Sequence, residues 1–177
     1  MRISAIKNIT RSLLEDTGLY SVPVNLDHLT KALDIHVLEI NDIGLSGYAL
    51  QKDGVKYIGV NVNESEPRKR FTVGHELGHL FLHRETDINY DQGGLMMLRD
   101  DNSSTGDDIK EVEANRFAAE LLMPEDLLTQ DINEMKNSNS FDMDSDEYIN
   151  TISLLAKKYD VSTQAMNIRL SSLYFSR

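Results

Sequence analysis

Cysteine is absent from the 177 residues of this sequence. Its absence excludes a disulfide scaffold and a zinc site built from thiolates, and it suits a reducing compartment such as the cytoplasm. Long apolar runs are absent too, since no stretch approaches the roughly 18 apolar residues of a membrane-spanning helix. Residues 1–8 are interrupted by charge and have no long apolar core, so we expect no signal peptide. These absences predict a cytoplasmic protein with no membrane span.

Positive charge is scarce: the sequence has 18 lysines and arginines against 29 aspartates and glutamates, which gives a net charge of -11. This balance disfavours nonspecific binding to DNA, RNA or anionic membranes, and it is compatible with a basic protein partner. A solvated acidic surface is the simpler explanation of the excess. The length allows one domain with a hydrophobic core and is short for two, so we expect a single domain over residues 1–177.

One segment places two histidines and a glutamate in the pattern His75-Glu76-Leu-Gly-His79. Ser65 as an N-cap and Pro67 in the first turn predict a helix that contains this pattern. On a helix, residues four apart project from one face, so His75 and His79 can bind a single zinc ion. Glu76 projects beside the metal and can accept a proton from its water. Two surface histidines with hydrogen-bonded rings are the less favoured interpretation.

Two histidines leave a zinc ion short of protein ligands, so a third ligand must be found. His83 lies on nearly the same face of the helix predicted over about 66–83. Eight helical residues, however, place its Cα atom roughly 12 Å along the axis from that of His75. One metal ion cannot bind both of these and His79. His83 is therefore a candidate for supporting the site from nearby, and the third ligand must come from another element.

A second predicted helix, over about residues 108–123, offers a carboxylate. Its apolar positions recur at helical spacing and form a stripe that faces the core. Glu111 extends this stripe, whereas Glu113 lines up with it less well, so we choose Glu111 as the third ligand and keep Glu113 as the alternative. Asn115 could hold the second ring nitrogen of a ligating histidine. The stripe consists of Ala114, Phe117, Ala118, Leu121 and Leu122.

Two segments together resemble the ImmA/IrrE family of metallopeptidases. They read Arg70-Phe-Thr-Val-Gly-His-Glu-Leu-Gly-His-Leu-Phe-Leu-His83 and Glu111-Val-Glu-Ala-Asn-Arg-Phe-Ala-Ala-Glu-Leu-Leu-Met-Pro124. Weaker similarity extends over most of the chain.

The resemblance implies a zincin-like fold and a zinc-dependent protease with one zinc ion per chain. It maps the metal ligands onto His75, His79 and a glutamate of the second helix, with Glu76 as the catalytic residue. Known targets of the family are often helix-turn-helix repressors of mobile elements or stress genes. Such a repressor is therefore the expected protein partner.

The remaining pattern predicts an α+β fold. Helical spacing marks residues 2–17, and Asn25 should cap a short second helix. A strand at 35–40 is followed by a hairpin over 47–62 that turns at Lys52-Asp53-Gly54. These segments predict a small three-stranded antiparallel or mixed sheet, packed with the active-site helix and several further helices.

Gly47, Tyr48 and Ala49 are our candidates for binding the substrate backbone, because a strand near the metal of a peptidase can pair with its substrate. An ordinary sheet edge is an equally good interpretation. Tyr48 or Tyr90 could donate a hydrogen bond to the oxyanion of the reaction, and nothing in the sequence separates them. Residues 84–107 connect the two metal-bearing helices and could form either a lid over the cleft or a disordered spacer.

The C-terminal residues, about 146–174, resemble a helix-turn-helix in which Ser162 caps the second helix. Acidic charge nearby argues against DNA, so we interpret the segment as a helical hairpin that packs on the core. No direct nucleic-acid binding is expected.

The preferred hypothesis is a cytoplasmic zinc endopeptidase that cleaves a helix-turn-helix repressor of a phage, mobile element or stress regulon. One alternative is a non-proteolytic regulator that binds and inactivates a repressor or antitoxin partner. Another is a DNA-binding regulator that uses the C-terminal hairpin. Cleavage of a partner separates the first hypothesis from the others.

Overall fold

The computed structural model describes residues 3–42, 44–83, 89–91, 106–137 and 146–174, which form seven helices and four strands. None of these helices has the length and apolar character needed to cross a bilayer. In chain order the elements are α1 (Ile3–Asp16), α2 (Leu26–Ala32), β1 (Ile35–Ile40), β2 (Gly47–Lys52), β3 (Val55–Asn61), α3 (Glu66–Leu82), β4 (Asn89–Asp91), α4 (Gly106–Leu122), α5 (Glu125–Asn137), α6 (Asp146–Tyr159) and α7 (Thr163–Tyr174).

The N-terminal helices form as their sequence predicts. Helix α1 buries Ile6 and Leu14 and packs on α4. Helix α2 begins after its predicted cap, because the side chain of Asn25 accepts a 3.0 Å hydrogen bond from the backbone N–H of His28. This bond satisfies one of the donors that every helix start leaves open.

The sheet is mixed, with strand order β1-β3-β2-β4. Strand β1 runs parallel to β3, and β2 runs antiparallel to both β3 and β4. The turn between β2 and β3 contains Asp53 and Gly54, both at positive φ, the conformation that Asp tolerates and Gly favours. The three predicted strands are confirmed. Strand β4 is an addition that its sequence, Asn89-Tyr90-Asp91, does not predict, because three residues are too few for the alternation that marks a strand.

Helix α3 lies between the sheet and α4, and most of its second half is buried. Pro67 stands in its first turn as predicted, and Ser65 is its N-cap by backbone conformation. Within the described residues, however, the Ser65 side chain makes no capping hydrogen bond. The start of α3 is therefore fixed by its proline and by packing.

The C-terminal helices α6 and α7 join the hydrophobic core through residues such as Leu155, Tyr159 and Leu170. Ser162 caps α7 as predicted, since its Oγ accepts a hydrogen bond from the backbone N–H of Ala165. Arg70 of α3 connects this hairpin to the centre of the fold. Its guanidinium donates 2.9 Å hydrogen bonds to the carbonyl oxygens of Asp160 and Val24.

Candidate metal centre

Helices α3 and α4 pack closely because small residues meet at their interface. Gly74 faces Ala118, and Gly78 faces Ala114. Residue numbers rise along α3 as they fall along α4, so the two helices are antiparallel. The contact brings the start of α4 beside the histidines of α3.

The two histidines of the motif and Glu111 meet at one point. The Nε2 atoms of His75 and His79 lie 3.0 Å apart. Glu111 places Oε2 at 3.1 Å from His75 Nε2 and Oε1 at 3.2 Å from His79 Nε2. Both imidazoles are buried, and the carboxylate is half-buried. Three potential ligand atoms thus converge from two helices.

Asn115 contacts the far side of one imidazole. Its Oδ1 lies 2.9 Å from Nδ1 of His75. Because an amide oxygen only accepts hydrogen bonds, His75 carries its hydrogen on Nδ1 and keeps a lone pair on Nε2. That lone pair is directed toward the shared centre, so the contact holds His75 in the tautomer that can bind a metal.

The environment of Glu111 favours its ionised form. Partial burial alone would raise its pKa, but in the metal-free centre hydrogen bonds and charge from protonated His75 and His79 outweigh burial and lower the pKa to about 2. The carboxylate is therefore available to a cation at neutral pH.

The donor set fits a zinc ion. His75, His79 and Glu111 place their ligand atoms within 4.8 Å of one another. Two imidazole nitrogens and one carboxylate are the protein ligands of one class of catalytic zinc sites, which keep a further position open for water or substrate. These residues can thus hold one metal ion, as the sequence predicts, and zinc suits them.

Glu76 is fully buried, and its carboxylate lies near strand β2. Its Oε1 lies 3.6 Å from the position that a Cβ atom on Gly47 would occupy. The carboxylate therefore lies beneath the start of strand β2. Glu76 thus follows a candidate metal ligand, His75, in the sequence and lies against strand β2 in space.

Glu113 and His83 pair with each other behind the centre. Glu113 Oε2 lies 3.8 Å from His83 Nε2. The sequence predicts that Glu111 continues the buried stripe of α4 better than Glu113 does, so Glu111 should be the more buried of the two. This prediction is wrong, because the Glu113 side chain is 10% exposed and the Glu111 side chain is 35% exposed. Glu111 lies at the more open histidine cluster, whereas Glu113 is enclosed between α3 and α4.

The predicted substrate strand is paired along both of its sides. Gly47, Tyr48 and Ala49 pair with β3 on one side and with β4 on the other. With β4 in place, this stretch has no free edge for a substrate. The Tyr48 ring lies across Gly59, on the face of the sheet opposite to the one that Gly47 turns toward α3. An oxyanion contact from Tyr48 is therefore wrong for this arrangement.

Other predictions fall on parts of the chain outside the description. Within the suggested lid, 84–107, the structure describes only 89–91 and the helical residues from 106. The side chain of Tyr90 is also outside the described part. The interhelical glycines were missed by sequence reasoning, although their signal is present: Gly-x-x-x-Gly at 74–78 faces Ala-x-x-x-Ala at 114–118.

Comparisons with known proteins identify the family that this chain resembles. The peptidase family described as IrrE N-terminal-like domain matches residues 30–171. Metallopeptidase ImmA of Bacillus subtilis (strain 168) is 27% identical over 127 residues, which are 71% of this chain and 67% of that protein. Uncharacterized immunity region protein 2 of Bacillus phage phi105 is 35% identical over 75 residues, 42% of each protein.

A solved structure shows the same fold. The chain resembles a Mycobacterium tuberculosis transcriptional regulator with a TM-score of 0.64 at 16% identity, over 97% of this chain and 47% of that one. The predicted α+β, zincin-like fold is confirmed. The chain spans about two thirds of the Bacillus subtilis protein and less than half of the other two.

Proposed function

This chain belongs to the family of IrrE N-terminal-like domains, and we propose that it is a zinc-dependent endopeptidase. Membership confirms the resemblance to the ImmA/IrrE metallopeptidases. The observation that carries the proposal is the convergence of His75, His79 and Glu111 on one point, with their ligand atoms within 4.8 Å. In this proposal the three residues hold one zinc ion per chain.

The chain supplies the acid–base chemistry through Glu76. His75, His79 and Glu111 would hold a zinc ion, which would act as a Lewis acid toward water and a carbonyl. Glu76 accepts the proton of the attacking water and returns it to the leaving amine nitrogen. Glu76 is fully buried beneath β2, where packing restricts the position of its carboxylate.

We propose a helix-turn-helix repressor as the substrate. Support comes from the family resemblance and from two relatives, since one is named for an immunity region and the other is named a transcriptional regulator. A net charge of -11 favours a basic partner over nucleic acid. The burial of α6 and α7 in the core supports a structural role for the C-terminal hairpin over DNA binding.

The experiment that tests this function takes as substrate a helix-turn-helix repressor sought among the neighbouring genes. Wild type, Glu76→Gln and the control Glu39→Gln, an exposed position on β1, are loaded with zinc and incubated with the repressor. Mass spectrometry should show one defined cut with wild type and with the control. Glu76→Gln should bind zinc but lose on the order of 10²-fold or more in cleavage rate, since glutamine cannot accept a proton.

The same assay separates the other hypotheses. A non-proteolytic regulator would leave the repressor intact with all three proteins and still release it from its operator. A DNA-binding regulator would retard the operator without the repressor. Equal cleavage by Glu76→Gln and wild type would remove Glu76 from the mechanism.

A further inference from the structure

We infer that His83 is a positioning residue that sets the place of Glu111 at the metal centre by holding the peptide bond between Lys110 and Glu111. The inference rests on the proposed metal site, and it gives a role to a histidine just after α3 that the ligand cluster does not include.

His83 is well placed to hold that peptide. It is the C-cap of α3, and its backbone N–H donates to the carbonyl oxygen of His79 at 3.0 Å. Its side chain is 9% exposed and reaches across to α4, where Nε2 lies 3.1 Å from the carbonyl oxygen of Lys110. The carbon of that carbonyl is bonded to the nitrogen of Glu111, so the hydrogen bond acts on the backbone of the ligand itself.

The chemistry fixes the direction of this hydrogen bond. A carbonyl oxygen only accepts, so His83 must carry a hydrogen on Nε2. The Glu113 carboxylate, 3.8 Å from the same nitrogen, favours a hydrogen there as well. Nε2 is thereby turned toward α4, and His83 does not compete with His75 and His79 for the metal.

The hydrogen bond from His83 to the Lys110 carbonyl oxygen restricts where the Glu111 backbone can lie. The Gly78 contact with Ala114 fixes the separation of α3 and α4 on the C-terminal side of Glu111. His83 adds a directional contact at Lys110, one residue before Glu111. Between these two points the Glu111 backbone has little freedom to move away from the histidines. Removing the His83 contact takes away the directional hydrogen bond on the N-terminal side of Glu111.

The test is a zinc-affinity series measured by competition with a fluorescent chelator. His83→Ala should weaken zinc binding about tenfold or more, as loss of contacts that orient a ligand commonly does. His83→Gln keeps an N–H at a reach similar to Nε2 and should stay within about threefold of wild type. His83→Asn also carries an amide, but its shorter side chain does not reach the Lys110 carbonyl oxygen, so its zinc affinity should resemble that of His83→Ala. The exposed His28→Ala is the control and should match wild type.

A second arm asks whether His83 acts through Glu111. His83→Ala is repeated in a Glu111→Ala background, where it should change zinc affinity by less than about twofold, because the group it positions is gone. An equal loss in both backgrounds would overturn the inference, as would a glutamine variant no better than asparagine. If the alanine variant does not fold, the comparison of glutamine with asparagine decides. Zinc affinity does not depend on cleavage, so a protein without protease activity would still give a result for His83.

Discussion

A methyl group on Gly78 would lie 2.9 Å from the Cα atom of Ala114 and 3.1 Å from its carbonyl oxygen. Both are backbone atoms of α4, which cannot rotate aside as a flexible side chain can. The absence of a side chain at Gly78 therefore allows the short distance between the axes of α3 and α4. Because the ligands lie on both helices, the same contact sets the distance between His79 and Glu111.

Gly78→Ala should separate the helices and weaken the metal centre. We expect a loss of about 1–3 kcal/mol in the free energy of unfolding from overpacking, together with weaker zinc binding. Urea unfolding of the metal-free protein and chelator competition measure the two effects.

Gly74→Ala is the matched control for this change. The nearest atoms of Ala118 lie 3.3 Å from the added methyl group, so a small adjustment accommodates it. Its losses should be clearly smaller than those of Gly78→Ala. Equal losses at the two positions would show that this contact does not set the site.

The two glutamates of α4 should differ in their effect on the metal. Glu111→Ala removes a carboxylate that lies within 3.2 Å of both histidines, and it should lower zinc affinity far more than Glu113→Ala. Glu113→Ala removes a carboxylate that lies beside His83. Chelator competition ranks the two variants, and a larger loss with Glu113→Ala would show that the ligand assignment is wrong.

Local signals predicted most of the elements that form this site. The bounds of β1 agree with its apolar and β-branched run, and the five stripe residues of α4 are all buried. Helical spacing also placed His75 and His79 on one face of α3, where their Nε2 atoms lie 3.0 Å apart. These predictions succeed because spacing on a regular helix or strand fixes which residues share a face.

Features that depend on tertiary partners were not predictable in the same way. Strand β4 pairs with the edge of β2, and this pairing cannot be predicted from the three residues of β4 alone. Glu113 is buried next to His83, which stands at the end of a different helix. The periodicity of α4 gives the direction of each side chain, but it cannot say how far α3 covers it.

Asn115 should matter through the hydrogen bond that it accepts from His75. Asn115→Leu has a similar volume and no acceptor, so His75 Nδ1 loses its partner and zinc affinity should fall about 10-fold or more. Asn115→Asp keeps an acceptor at the same reach and should retain much tighter binding than leucine. Chelator competition at neutral pH measures both, and equal affinities would exclude an orienting role for this contact.

Asp126 should make the stability of the protein depend on pH. It lies at the start of α5 and accepts hydrogen bonds from Lys7 at 2.7 Å and Arg11 at 2.6 Å, which connect α5 to α1. The hydrogen bond from Lys7 is the main cause that lowers the pKa of Asp126 below its ordinary value of 3.8. A carboxyl group whose pKa is lower in the folded state binds protons more readily when unfolded, so its stabilising contribution grows as pH rises.

That contribution is complete above the unfolded pKa, near 4, and is lost as pH falls through the lower folded pKa. Asp126→Asn should therefore be less stable than wild type at pH 7, by a modest amount because the side chain is 38% exposed. The difference should shrink toward pH 2. Urea unfolding with zinc removed from both proteins measures it. In a Lys7→Met background the effect of Asp126→Asn at pH 7 should be smaller, and a difference that stayed constant across pH would show that the ion pair is not its source.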